Sequence, residues 1–109
     1  MASKSRRGFD VEVADGVTIV RFADVILDEG DRAVIEDQVF DLVKKAERKD
    51  LRLDLAGVRF VSSAALGALI ALNRKLRAID GRLSLCNLNS ETAEVIRATK
   101  LDTVLNIQK

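Results

Sequence analysis

From Leu51 to Leu55 the chain reads Leu-Arg-Leu-Asp-Leu, a strict alternation, while the segments flanking it repeat apolar residues every three or four positions. Alternation is the pattern of a strand with one buried face, and the longer spacing is that of a helix with one buried stripe. A chain that switches between these two periods is committed to layered α/β packing, with helices laid on a sheet. Leu51–Leu55 is the expected centre of that sheet.

The other elements follow from the same two patterns. Phe9 to Val13 alternates, Asp15-Gly16 supplies residues that tolerate positive φ, and Val17 to Phe22 follows, which is the signature of a β-hairpin. Val25-Ile26-Leu27 adds a short strand before a polar break at Asp28-Glu29-Gly30. Between Asp31 and Arg48, the residues Val34, Ile35, Val39, Leu42, Val43 and Ala46 make one helical stripe. A second helix is predicted over Ala65–Ile79, with Asp80-Gly81 ending it and Leu83–Cys86 as the next strand. Ser90 reads as the N-cap of a short helix over Thr92–Thr99, and Val104–Ile107 as a last strand. The order predicts an α/β fold with a mixed sheet: an N-terminal hairpin, then alternating helices and strands, with helical crossovers joining the parallel pairs.

Composition narrows what such a fold can do. At 109 residues, one core must use most of the Leu, Ile and Val, and little room is left for a cofactor cavity. With 18 basic and 17 acidic residues, the net charge of +1 draws the chain neither to nucleic acid nor to anionic lipid. Lys4, Arg6 and Arg7 fall in a segment, residues 1–7, expected to be a flexible tail ahead of a single domain over residues 8–109. That segment lacks the apolar stretch of a secretory signal, and no run approaches the ~20 apolar residues of a membrane span.

Cys86 is the only cysteine, which excludes an internal disulfide and makes a reducing cytoplasm the expected setting. The thiol itself reads as a small core residue. The chain has no His, so neither a His-based metal site nor a Ser-His-Asp triad can be assembled. Asp28, Asp54, Ser62, Ser63 and Cys86 remain as candidate acids and nucleophiles, without the usual activating base. Asp54 reads as a turn or edge residue. The expectation is a chain that is not an enzyme and carries no cofactor and no metal.

The segment most suited to chemistry is Val58-Arg59-Phe60-Val61-Ser62-Ser63-Ala64-Ala65-Leu66-Gly67-Ala68-Leu69. It sets two hydroxyls between a strand and a helix start, where backbone N–H groups and the positive end of the helix dipole are exposed. One serine suffices as an N-cap.

This stretch resembles the Asp-Ser-(Ser/Thr)-Gly-Leu-Gly signature of STAS-domain anti-sigma factor antagonists, with Phe60-Val61 matching the apolar pair before it. The likeness extends to the hairpin, Leu27-Asp28, Leu53-Asp54-Leu55, Gly81 and Leu101, over almost the whole chain. Ser63 falls at the family's regulatory phosphoserine, with Ser62 as the less favoured acceptor, and Leu66-Gly67 falls at the Leu-Gly that follows. Ser62 stands where the family usually has Asp, and Ala65 where it usually has Gly; Ala65 is therefore expected to be helical.

The resemblance implies a partner-switching protein that binds a serine kinase-type anti-sigma factor and so frees a sigma factor, with phosphorylation at Ser63 ending the interaction and a serine phosphatase as a further partner. The contact surface it implies is Asp28 with Ser62, Ser63, Ala64, Ala65, Leu66 and Gly67. The Ser62 departure leaves two alternatives: a STAS scaffold that is not phosphorylated, and a cytosolic STAS subunit of a lipid ABC transporter.

Overall fold

A computed structural model describes residues 9–22, 26–46, 49–100 and 105–108. The hairpin consists of β1 (Phe9–Ala14) and β2 (Val17–Phe22), in register from Phe9 opposite Phe22 to Ala14 opposite Val17. At its tip Asp15 and Gly16 have φ of 54° and 81°, the consecutive left-handed pair that a two-residue hairpin loop demands. Then come β3 (Ile26–Leu27), a 3-10 turn (Glu29–Asp31), a π-helical stretch (Val34–Val39) and α1 (Phe40–Lys44). The chain continues with β4 (Asp50–Asp54), β5 (Phe60–Val61), α2 (Ser63–Ala78), β6 (Arg82–Cys86), α3 (Ser90–Ala98) and β7 (Asn106–Gln108).

The main sheet has the order β1-β2-β4-β6-β7, antiparallel at the hairpin and parallel thereafter, so the alternating strand β4 lies at its centre. The crossovers all advance in one direction, which under the right-handed rule puts the helices on a single face. Burial agrees: Leu51 and Leu53 of β4 and Leu83 and Leu85 of β6 are buried, while Asp50, Arg52 and Asp54 on the other face are only partly covered. Against the buried face pack Leu69, Leu72 and Leu76 of α2 and Ile35, Val39 and Val43 from the first helical segment. Strands β3 and β5 leave the main sheet and form their own parallel pair, Ile26 beside Phe60 and Leu27 beside Val61.

The first helix differs from its expected regular form. In an uninterrupted α-helix Leu42 would share the buried face with Ile35 and Val39. The π stretch widens the turn and delays the phase, so Val43 follows Val39 into the core and Leu42 is 39% exposed. Lys75 of α2 supports this region, donating to the Glu36 carbonyl at 3.0 Å and meeting the Asp37 carboxylate at 3.2 Å.

Three smaller differences have local causes. The cap of α3 is Asn89, whose Oδ1 accepts from the Thr92 N–H at 2.7 Å; Ser90 is the first helical residue. Cys86 ends β6 only half-buried, because it lies on the sheet face away from the helices. The last strand begins at Asn106, one residue beyond the buried Leu105. Val25, Arg48, Leu101, Val104 and the 1–7 tail lie outside the described residues.

Gly81 joins α2 to β6 at a close approach. A Cβ there would lie 2.7 Å from the Lys49 carbonyl oxygen and 3.0 Å from that of Leu76, both backbone atoms with nowhere to go.

Candidate functional site

The paired strands β3 and β5 bring the Asp28 turn and the start of α2 to one edge. Leu27 and Val61 are opposite each other, and the Ser62 N–H donates to the Leu27 carbonyl at 2.9 Å, so Asp28 and Ser62 leave the ladder side by side. The Asp28 side chain accepts from the Gly30 N–H at 2.9 Å, and the Asp31 carboxylate accepts from the Asp28 N–H at 2.9 Å. This reciprocal capping box rigidifies the turn.

Ser62 is the N-cap of α2: its backbone is extended, its Oγ accepts from the Ala65 N–H at 3.1 Å, and its carbonyl accepts from Leu66. Helix geometry leaves the N–H groups of Ser63 and Ala64 without intrahelical acceptors. Ser63, the first helical residue, is exposed, and Ala64 is half-buried beside it. The two serines are thus separated by role, one consumed as a cap and one turned to solvent.

The structure divides the expected contact residues. Asp28, Ser62, Ser63, Ala64 and Gly67 all have accessible surface on this edge. Ala65 is helical, as expected, but fully buried, and so has no surface to offer a partner; the methyl that replaces the family's usual Gly points into the core. Leu66 retains 7% exposure and is chiefly a core residue. A Cβ on Gly67 would meet nothing within 4 Å, so this glycine faces open space.

Beside the junction lies an open cleft of about 830 Å³ between β5 and α3. Its floor includes Val61 and Leu66, and its walls carry Phe60, 57% exposed, and Val95, 46% exposed. Besides capping α3, Asn89 donates from Nδ2 to the Arg59 carbonyl at 2.8 Å, tying the approach to β5 to the helix. Little in the residue pattern marks this cleft. A two-residue strand has no readable period, and Val95 is the exposed member of a helix whose buried side is Thr92 and Ile96.

Asp54 has a structural role at the end of β4. Burial is the largest single influence and pushes its pKa up, but hydrogen bonds donated by the Asn87 side chain, the Ala56 N–H and Arg21 outweigh it and hold the carboxyl below its ordinary value. Arg21 also meets Glu12 at 2.8 Å, so three strands share one charge chain. Cys86 nearby has its thiol pushed up by burial and by the Asp54 charge, away from nucleophilic chemistry. Among the described residues no helix is long and apolar enough to cross a membrane.

Comparison with known proteins agrees with this architecture. The family model for the STAS domain matches residues 8–109. The fold is similar to that of an anti-sigma-factor antagonist (STAS) domain protein from Planctomyces limnophilus, with a TM-score of 0.81, 21% identity, and coverage of 96% of this chain and 92% of that one. An anti-sigma factor antagonist from Mycobacterium paratuberculosis is 26% identical, with a TM-score of 0.76 over 92% of this chain and 83% of its own. The Bacillus cell fate determinant SpoIIAA in its phosphorylated form shares the fold at 18% identity, with a TM-score of 0.68 over 94% of this chain and 92% of that one. The hairpin, the serine-bearing junction and the family match over residues 8–109 lead to one assignment: this chain belongs to the STAS domain family.

Proposed function

We propose that this chain is an anti-sigma factor antagonist, a protein-binding switch that sequesters a serine kinase-type anti-sigma factor and is turned off by phosphorylation at Ser63. The observation that carries the reading is the division of labour at the junction: Ser62 is engaged as the helix cap, which leaves Ser63 with an exposed hydroxyl at the first helical position. A phosphate there adds about −1.5 to −2 charges at neutral pH. The helix N-terminus accommodates that charge through its dipole and open N–H groups, so the domain stays folded. The effect falls on the interface instead, through bulk, repulsion and the cost of desolvating a doubly charged group.

On this reading Ser63 is a substrate residue and the nucleotide belongs to the partner, with a serine phosphatase restoring the active form. The contact surface comprises Asp28, Ser62, Ser63, Ala64 and Gly67, and the bond from the Ser62 N–H to the Leu27 carbonyl keeps the two halves in register. A structural neighbour, SpoIIAA, has been solved in both unphosphorylated and phosphorylated forms, which makes a folded phosphorylated state a reasonable model for this chain.

The test is incubation of the protein with ATP and a kinase-type anti-sigma factor from the same organism, followed by intact mass and peptide mapping. One phosphate on Ser63, absent in Ser63→Ala and accompanied by loss of partner binding, is the expected result. Stable binding without a phosphate would make the chain a constitutive scaffold, and neither binding nor phosphate would move the assignment to a transport-associated STAS subunit.

A further inference from the structure

We infer that the outer face of the β3–β5 ladder, Ile26 beside Phe60, is the apolar anchor by which the anti-sigma factor holds this chain, while the serine junction next to it carries the switch. The inference rests on the proposed function and adds to that contact surface two residues outside the junction. Leu27 and Val61 are opposite each other in the ladder and buried, so both face the core. Ile26 and Phe60, one position earlier, are also opposite each other and project to the other side, 49% and 57% exposed. Asp28 and Ser62, one position later, both have extended backbones, so the alternation continues and they share the outer side with Ile26 and Phe60. An apolar row is thus followed by a polar row, which leads directly into Ser63.

Size identifies the occupant. A stable protein–protein interface takes about 800 Å² from each partner, a patch of roughly 16 Å radius. The accessible residues of the junction, Asp28, Ser62, Ser63, Ala64 and Gly67, are too small and too few to supply that area. Phe60 lies three positions before Ser63, hence at most about 11 Å away, and Ile26 is one strand spacing, about 4.8 Å, beyond it. A kinase has to cover Ser63, and a footprint of ordinary size centred there covers Phe60 and Ile26 as well. All four ladder residues are uncharged, and the charged residues next to them in the chain, Arg59 before β5 and Asp28 and Glu29 after β3, flank the apolar pair. An outward-facing aromatic ring and a branched aliphatic side chain inside a polar rim are the arrangement that supplies most of the affinity of such contacts. The partner that fits presents an apolar depression beside its phosphate-transfer site.

The test is titration of the full chain with a kinase-type anti-sigma factor from the same organism, without ATP so that Ser63 stays unmodified. Ile26→Ala and Phe60→Ala should each weaken binding about tenfold. Both side chains face outward, so thermal melts of the two variants should stay close to that of the wild type. Val13→Ala is the control: Val13 is 68% exposed, near the hairpin turn and opposite Thr18, and its truncation should leave the affinity unchanged.

A second measurement needs no substitution. In hydroxyl-radical footprinting of the wild-type complex, oxidation at Phe60 should fall severalfold when the partner is added. Wild-type binding that both ladder variants leave intact, with Phe60 still oxidised in the complex, overturns the anchor and leaves the Ser63 switch standing. Equal weakening by Val13→Ala overturns it too, since the effect would then not belong to the ladder. A wild-type chain that does not bind the anti-sigma factor at all overturns the proposed function, and the anchor with it.

Discussion

The Ser62 N–H donates to the carbonyl of Leu27 across a gap of 35 positions in the chain, at 2.9 Å, and this bond holds the Asp28 turn against the start of α2. Ser62 is therefore committed at three atoms: its N–H to Leu27, its Oγ to the Ala65 N–H and its carbonyl to the Leu66 N–H. The neighbouring Ser63 is free of that duty and exposed. One residue builds the junction and the next presents it.

Ser62→Ala removes the cap and should cost about 1 kcal/mol of stability. For a domain of this size that corresponds to a fall in Tm of about 4–8 °C. Ser62→Asp keeps the cap and adds a negative charge at the positive end of the helix, so it should match or exceed the wild type by about 0.3–1 kcal/mol at neutral pH. Thermal melts of the two variants decide the matter; equal losses in both would show that the hydroxyl does not act as a cap.

Gly67 should be replaceable at a gain in stability and a loss in function. It lies inside α2, where Ala is favoured by about 0.5–1 kcal/mol, and no atom within 4 Å opposes an added methyl. Under the proposed switch, the same methyl would stand on the surface that meets the anti-sigma factor. Gly67→Ala is expected to melt higher than the wild type and to bind the partner less tightly. A variant that is stabilised with binding unchanged would remove Gly67 from the contact surface.

What was legible in the sequence followed from period and from side-chain chemistry. The alternation of Leu51 to Leu55 placed the central strand, and Asp15-Gly16 the hairpin turn, because both patterns depend only on local geometry. The serine pair was legible as a helix start, but not which serine caps, since that depends on the extended backbone of Ser62. The π stretch was hidden because its residues keep a helical spacing, and only the outward turn of Leu42 reveals the extra residue. Burial of Ala65 and the cleft at Phe60 and Val95 are tertiary facts, set by how β5 and α3 meet.

Asp54 gives the fold a defined acid sensitivity. Its carboxyl is held below its ordinary value in the folded chain, so its contribution is fully present above the unfolded value of about 3.9 and is lost as pH falls through the folded value. Asp54→Asn should therefore lower stability at pH 7 by about 1 kcal/mol, since Arg21 loses a charged acceptor. The gap between variant and wild type should narrow below about pH 4. Denaturant titrations at a series of pH values test this, and a gap that stays constant down to strong acid would contradict it.

Cys86 should be a slow nucleophile in the folded protein. Burial is the main reason its thiol is pushed up, the Asp54 charge adds to it, and Arg52 and Arg21 only partly oppose it. A raised thiol leaves less thiolate at a given pH, and thiolate is the reacting species. Labelling with an aromatic disulfide reagent at pH 8 is therefore expected to run slower in the native chain than in the chain unfolded by denaturant. Asp54→Asn should speed the native reaction by removing the repelling charge. Native and unfolded rates that coincide would mean that neither burial nor Asp54 governs the thiol, and would leave Cys86 as an exposed reactive group at the end of β6.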